Sequence, residues 1–135
     1  MRSFVLDASA AVDYVQSGPG ATKIEQLLAE AIRQQLQLFI SVLNLAEVFY
    51  LTWQRTGEEK ARQTVANFSH LPVHIVPVDL PQALKAGELK ALHKIPYVDC
   101  VAAALAQQQN ATLVTSDRDF EKLGRHFPVL WLARR

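Results

Sequence analysis

Three features of the sequence predict a three-layer α/β/α fold around a central, mainly parallel sheet of about five strands. Short apolar runs alternate with segments of helical length and periodicity, the order expected of successive βα units. The runs at 3–6, 38–40, 73–76, 111–114 and 129–131 are mostly continuous and not alternating, as suits strands covered on both faces. The length, 135 residues, fits one unit able to bury about two thirds of its unfolded surface.

The first strand, 3–6, runs into Asp7, and residues 8–15 read as a helix stopped by Ser17-Gly18-Pro19-Gly20. From Ala21 to about Gln37, Ile24, Leu27, Leu28, Ala31 and Ile32 recur at helical spacing, so a second helix precedes the strand at 38–40. Ser41 is placed to cap a third helix carrying Val42, Leu45, Val48, Phe49 and Trp53. Thr56 and Glu59 have the spacing of a capping box for a fourth helix reaching Phe68. After the strand at 73–76, Asp79 and Gln82 offer a second capping box, with Pro81 early in the helix, where its missing donor is harmless. That helix extends to about His93. Pro96 opens the last helix, with Val98, Val101, Ala102 and Leu105 on one face and Asn110 ending it. Strands at 111–114 and 129–131 complete the chain.

Composition narrows the function. Half the residues are apolar and 20% are charged, which excludes disorder and collagen. With 14 basic against 13 acidic side chains, net charge gives no indication of a nucleic-acid partner. The single cysteine, Cys100, forms no intramolecular disulfide, and one cysteine with four histidines does not build a Cys-rich zinc scaffold. His70 and His74 are separated by Pro72, which interrupts a helical zinc pair. Aspartates interrupt the N-terminal apolar stretch, and no apolar run approaches the roughly 18 residues of a membrane span. The expectation is a soluble, cytoplasmic protein without a membrane partner. The only Gly/Pro cluster comes too early to separate two domains, so residues 1–135 are expected to form one domain. No dinucleotide fingerprint or P-loop is present.

In open parallel sheets the working crevice lies at the carboxyl ends of the strands. Four acids belong there. Asp7 ends the first strand, Asp117 follows the fourth by three residues, and Asp99 opens the last helix beside its apolar face. Glu47 lies inside Val42-Leu43-Asn44-Leu45-Ala46-Glu47-Val48-Phe49, where an amphipathic helix favours an apolar residue. Plain structural roles exist for three of them: Asp7 and Asp117 as caps, and Asp99 as a charge at a helix N-terminus. Glu47, inside a helix, has no such role. No base is close in sequence to Glu47 or to Asp99, the nearest to Glu47 being Arg55 and Lys60 and to Asp99 Lys94 and His93. Buried carboxylates protonate, pair with a base or bind metal. An all-oxygen set favours Mg²⁺ or Mn²⁺. Asp13 and Asp79 read as surface or capping residues, and Cys100 as a small core residue.

With these residues assembled, the chain resembles the PIN domain family, and most closely its single-domain VapC-type toxins. The resemblance rests on Val5-Leu6-Asp7-Ala8-Ser9, on the capped helix from Ser41 through Glu47, on Tyr97-Val98-Asp99-Cys100-Val101-Ala102, and on Thr115-Ser116-Asp117-Arg118-Asp119-Phe120, in that order. It implies a metal-dependent endoribonuclease with Asp7, Glu47, Asp99 and Asp117 around one or two Mg²⁺ or Mn²⁺ ions. Ser9 and Thr115 would orient carboxylates or water, or act as local backbone caps. Asp119 would assist the metal or, as favoured here, steady the turn that follows.

The resemblance also implies an RNA substrate, a cognate antitoxin protein and a homodimer. Arg118, Lys85, Lys90, His93 and Lys94 are the cations near the acids, each read first as a solvated charge. The apolar excess in residues 48–53 either serves an interface or fills two sides of a core. A nuclease of RNA processing outside a toxin pair, or a non-catalytic RNA- or protein-binding module, are the competing readings.

Overall fold

The alternation of side chains along β1 (Arg2–Leu6) settles the layering: Phe4 and Leu6 enter one core and Val5 the other. β2 (Leu36–Ser41) divides in the same way, with Leu36, Leu38 and Ile40 on one side and Phe39 opposite. The computed structural model describes residues 1–134, so Arg135, part of the expected 1–135 unit, lies outside the described residues. The sheet has five strands in the order β3-β2-β1-β4-β5, and all four pairings are parallel. β3 is His74–Val76, β4 is Thr112–Thr115 and β5 is Val129–Trp131.

Against the first face pack α1 (Ala8–Val15) and α2 (Ala21–Ile32), together with the inner sides of α3 (Val42–Thr56) and α4 (Glu58–Phe68). The second face is covered by α5 (Leu80–Leu92) and α6 (Tyr97–Gln108). α6 is buried from Asp99 to Ala106, and its run of alanines lets sheet and helix approach closely. Cys100 lies in this core, as expected.

Local chemistry departs from the sequence reading at several points. α2 stops at Ile32, and β2 begins at Leu36, because Gln34 turns the backbone to φ 60°. Residues read as the end of a helix therefore open a strand. The capping box at Thr56 does not form: Thr56 ends α3 and donates to the Thr52 carbonyl, while Gly57, at φ 99°, breaks the two helices apart. At α5, Asp79 accepts from the Gln82 amide as expected, but the Gln82 side chain donates to the Pro77 carbonyl and does not close the box.

Asp13, expected to be a surface or capping residue, does not lie at the surface. It is fully buried and accepts from the Gly20 amide at 3.2 Å, joining α1 to the start of α2. The absence of a side chain at residue 20 makes this contact feasible, since a Cβ there would lie 2.6 Å from Asp13 Oδ2.

The sheet order places a topological switch point between β1 and β4, whose onward connections lead to strands on opposite sides, β2 and β5. Leu6 is level with Val114, so the residues after the two strands open side by side at the carboxyl edge. No described helix is long and apolar enough to cross a membrane.

Candidate active site

Asp7 follows β1 directly. Its carboxylate caps α1 by accepting from the Ala10 amide at 2.9 Å, so the capping role is real. Capping does not exhaust it. Oδ1 also accepts from Ser9 Oγ at 2.7 Å, and Oδ2 accepts from Thr115 Oγ1. The two hydroxyls in turn accept backbone amides from the loop after β4: Ser116 N reaches Ser9 Oγ at 3.1 Å and Asp117 N reaches Thr115 Oγ1 at 2.9 Å. The alternatives left open for Ser9 and Thr115 thus hold together, since each holds the Asp7 carboxylate and caps the loop that carries Asp117.

Asp117 likewise caps a short 3₁₀ turn, Arg118–Leu123, by accepting from the Asp119 amide at 2.9 Å. Asp99 occupies the first turn of α6, whose N-cap is Pro96, and is 8% exposed. Glu47 projects from the middle of α3, and its Oε1 is buried without a hydrogen-bond partner. Asp7, Glu47, Asp99 and Asp117 line one pocket with Ser9, Ser116 and Arg55. Asp99, Asp117 and Asp119 each present an oxygen, all within 4.8 Å of one another.

The electrostatics follow from burial without countercharge. Among the described residues no ion pair reaches Asp7, Glu47, Asp99 or Asp117. Burial first, and then repulsion from Asp117, Asp7, Glu47 and Asp119, push the Asp99 carboxyl up to about 8. Burial lifts Asp7 to about 6 against the opposing effect of its three hydrogen bonds, with Asp117 adding repulsion. Glu47 is raised by burial and by Asp117. The orphaned Glu47 oxygen, the mutual repulsion centred on Asp99 and the all-carboxylate donor set fit a hard divalent cation, whose charge would offset all three.

Asp119, left between a metal and a turn role with the turn favoured, has contacts that suit both: it belongs to the set of close oxygens and lies 3.5 Å from Lys122 Nζ within the turn that follows. Arg55 lines the pocket and was noted only as distant from Glu47. The signal was its spacing, two helical turns beyond Glu47 on α3 and therefore on the same face. Three of the basic residues singled out earlier are engaged elsewhere. Arg118 stacks on Trp131 at 4.5 Å and donates to the Leu132 carbonyl, Lys90 donates to Ile95, and Lys85 pairs with Glu88. In the apolar segment of α3, Val48 and Thr52 are buried while Tyr50 and Trp53 remain exposed.

A family model described as the PIN domain matches residues 4–126. No curated protein matches the chain significantly. Among solved structures, the crystal structure of VapBC2 from Rickettsia felis bound to a DNA fragment from their promoter has a chain that aligns with a TM-score of 0.76 at 20% identity, covering 97% of this chain and 99% of that one. VapC20 from Mycobacterium tuberculosis, described as a Sarcin-Ricin loop cleaving toxin, aligns with a TM-score of 0.75 at 18% identity, covering 90% and 95%. A chain of DNA-bound VapBC from Salmonella typhimurium gives 0.75 at 21% identity over 96% and 98%. At these identities the likeness is one of fold.

Proposed function

From the premise that the chain belongs to the PIN domain family, we propose that it is a metal-dependent endoribonuclease that hydrolyses RNA phosphodiester bonds, and the toxin of a toxin-antitoxin pair. The observation that carries this reading is the convergence of Asp7, Glu47, Asp99 and Asp117 on one pocket with no cation paired to any of them. These four would hold Mg²⁺ or Mn²⁺, with Asp119 as a further oxygen donor beside Asp99 and Asp117. When bound, the cation supplies activation of a water for in-line attack and stabilisation of charge on the phosphate and leaving oxygen.

The protein's own contribution is positional. Ser9 and Thr115 hold both oxygens of Asp7 and tie them to the backbone that presents Asp117, so the acids from β1 and from the loop after β4 keep one geometry. Glu47 and Asp99 carry no such bonds to their carboxylates, which leaves their oxygens available as ligands.

Toxin identity is supported by the fold shared with VapC20 and the two VapBC structures. An antitoxin protein and a second copy of the chain are the proposed protein partners. The exposed Tyr50 and Trp53 on α3, and Leu80, Leu84 and Leu92 on α5, offer apolar surface for them. The whole chain acts as one nuclease domain in the cytoplasm in this reading.

The test is incubation of a mixed cellular RNA pool with the purified protein in Mg²⁺ or Mn²⁺ and in EDTA. Discrete cuts that appear only with the metal are expected. Intact RNA in all conditions, with folded protein free of bound antitoxin, would favour a binding module.

A further inference from the structure

Arg55 is the one cation that lines the acidic pocket among the described residues. It stands on the last turn of α3, and with Glu47 and Leu51 it forms an i, i+4, i+8 stripe along the pocket wall. A guanidinium lining the same pocket as four carboxylates would ordinarily pair with one of them. It does not: its partner is the neutral Gln16 side chain, with Nη1 donating to Oε1 at 2.7 Å, and among the described residues no carboxylate lies within ion-pair distance. Gln16 is the C-cap of α1, so the contact holds the guanidinium at the rim, away from the acids and open to solvent.

Among the residues that line this pocket, a polyanion meets four carboxylates and one positive charge, Arg55. Arg118 and Lys122, the cations beside Asp117 and Asp119 in sequence, are already committed. Arg118 lies over Trp131 and is bonded to Leu132, while Lys122 Nζ bonds the Lys94 carbonyl and lies near Asp119. Building on the nuclease reading, we propose that Arg55 is a substrate-binding residue that grips a phosphate of single-stranded RNA next to the scissile one and so sets the strand across the carboxylates. The planar fork suits two phosphate oxygens, and the single hydrogen bond to Gln16 leaves further donors free for them.

The experiment is fluorescence anisotropy of a short labelled single-stranded RNA across a KCl series. Ca²⁺ is held constant, and gels verify that the RNA stays intact. Wild-type protein, Arg55→Gln, Arg55→Lys and Gln16→Ala are compared. Loss of one phosphate contact is expected to weaken binding about tenfold. It should also reduce the slope of log K against log salt by about 0.7 for Arg55→Gln. Arg55→Lys, which keeps the charge, should retain the slope. Gln16→Ala, which removes only the tie, should bind as wild type does.

An unchanged slope and affinity in Arg55→Gln, while wild type binds RNA, would overturn the assignment and leave the nuclease reading standing. Equal losses in Gln16→Ala and Arg55→Gln would overturn it too, because the residue would then act through the fold. Wild-type protein that neither binds nor cuts RNA would remove both the nuclease reading and this inference.

Discussion

Replacing Asp99 by Asn is expected to abolish metal-dependent RNA cleavage and to make the metal-free protein more stable. Both effects have the same origin. Asp99 is the carboxyl at which repulsion from Asp117, Asp7, Glu47 and Asp119 meets, on top of its burial. An uncharged amide of nearly the same shape removes that repulsion without opening a cavity. The loss in activity should be about 10³-fold or more, because a metal site supplies several kcal/mol of transition-state stabilisation. Thermal unfolding in EDTA at pH 8 should show a higher Tm for Asp99→Asn than for wild type. A mutant that unfolds at a lower Tm and loses activity in proportion would instead mark Asp99 as a structural residue.

The second large effect is a dependence of stability on pH that a divalent cation reverses. Asp99 rises from 3.8 to about 8 in the folded protein and Asp7 from 3.8 to about 6. Over that window the folded state binds more protons than the unfolded state, so stability falls as pH increases. Below about pH 4 both states are protonated and the effect is absent. Above about pH 8 both are ionised and the full penalty applies.

Metal-free protein should therefore lose on the order of 2 kcal/mol between pH 5 and pH 8, after allowance for solvent screening at the open side of the pocket. That corresponds to roughly 5–10 °C in Tm for a chain of this size. Mg²⁺ binds the ionised carboxylates, so it should restore Tm at pH 8 and change little at pH 5. Scanning calorimetry with and without Mg²⁺ checks this, and a Tm that rises steadily from pH 5 to pH 8 without metal would contradict it.

Much of the site is legible in the sequence because its residues break local rules. Glu47 is conspicuous as a charge inside an apolar helical run, and Asp7 as the polar end of a buried strand. The sheet order is not legible in that way. It depends on which strands lie together at the switch point, and β5 joins β4 through a loop and a 3₁₀ turn, not through a long helix.

The readings that changed depend on contacts between one element and another. Asp13 looks like a surface residue on α1 until the backbone at Gly20 is seen to close over it. Asp119 reads first as a turn residue, and α6 also brings Asp99 beside it. Ser9 is two residues from Asp7, but Thr115 is 108 away, and only the pairing of β1 with β4 brings it to the same carboxylate. Gln34 and Gly57 show the complementary limit. A left-handed turn at a glutamine is a choice imposed by packing, whereas the break at Gly57 could have been read from the glycine itself.

The central claim is that these carboxylates form a divalent-metal site. The most direct measurement is isothermal titration of Mn²⁺ into the purified protein at pH 7.5 in two buffers of different ionisation enthalpy, with Asp99→Asn alongside. The account predicts saturable binding that releases protons, seen as a buffer-dependent enthalpy, and markedly weaker binding with little proton release in the mutant. Folded wild-type protein that binds no Mn²⁺, or binds it equally well without Asp99, would contradict it.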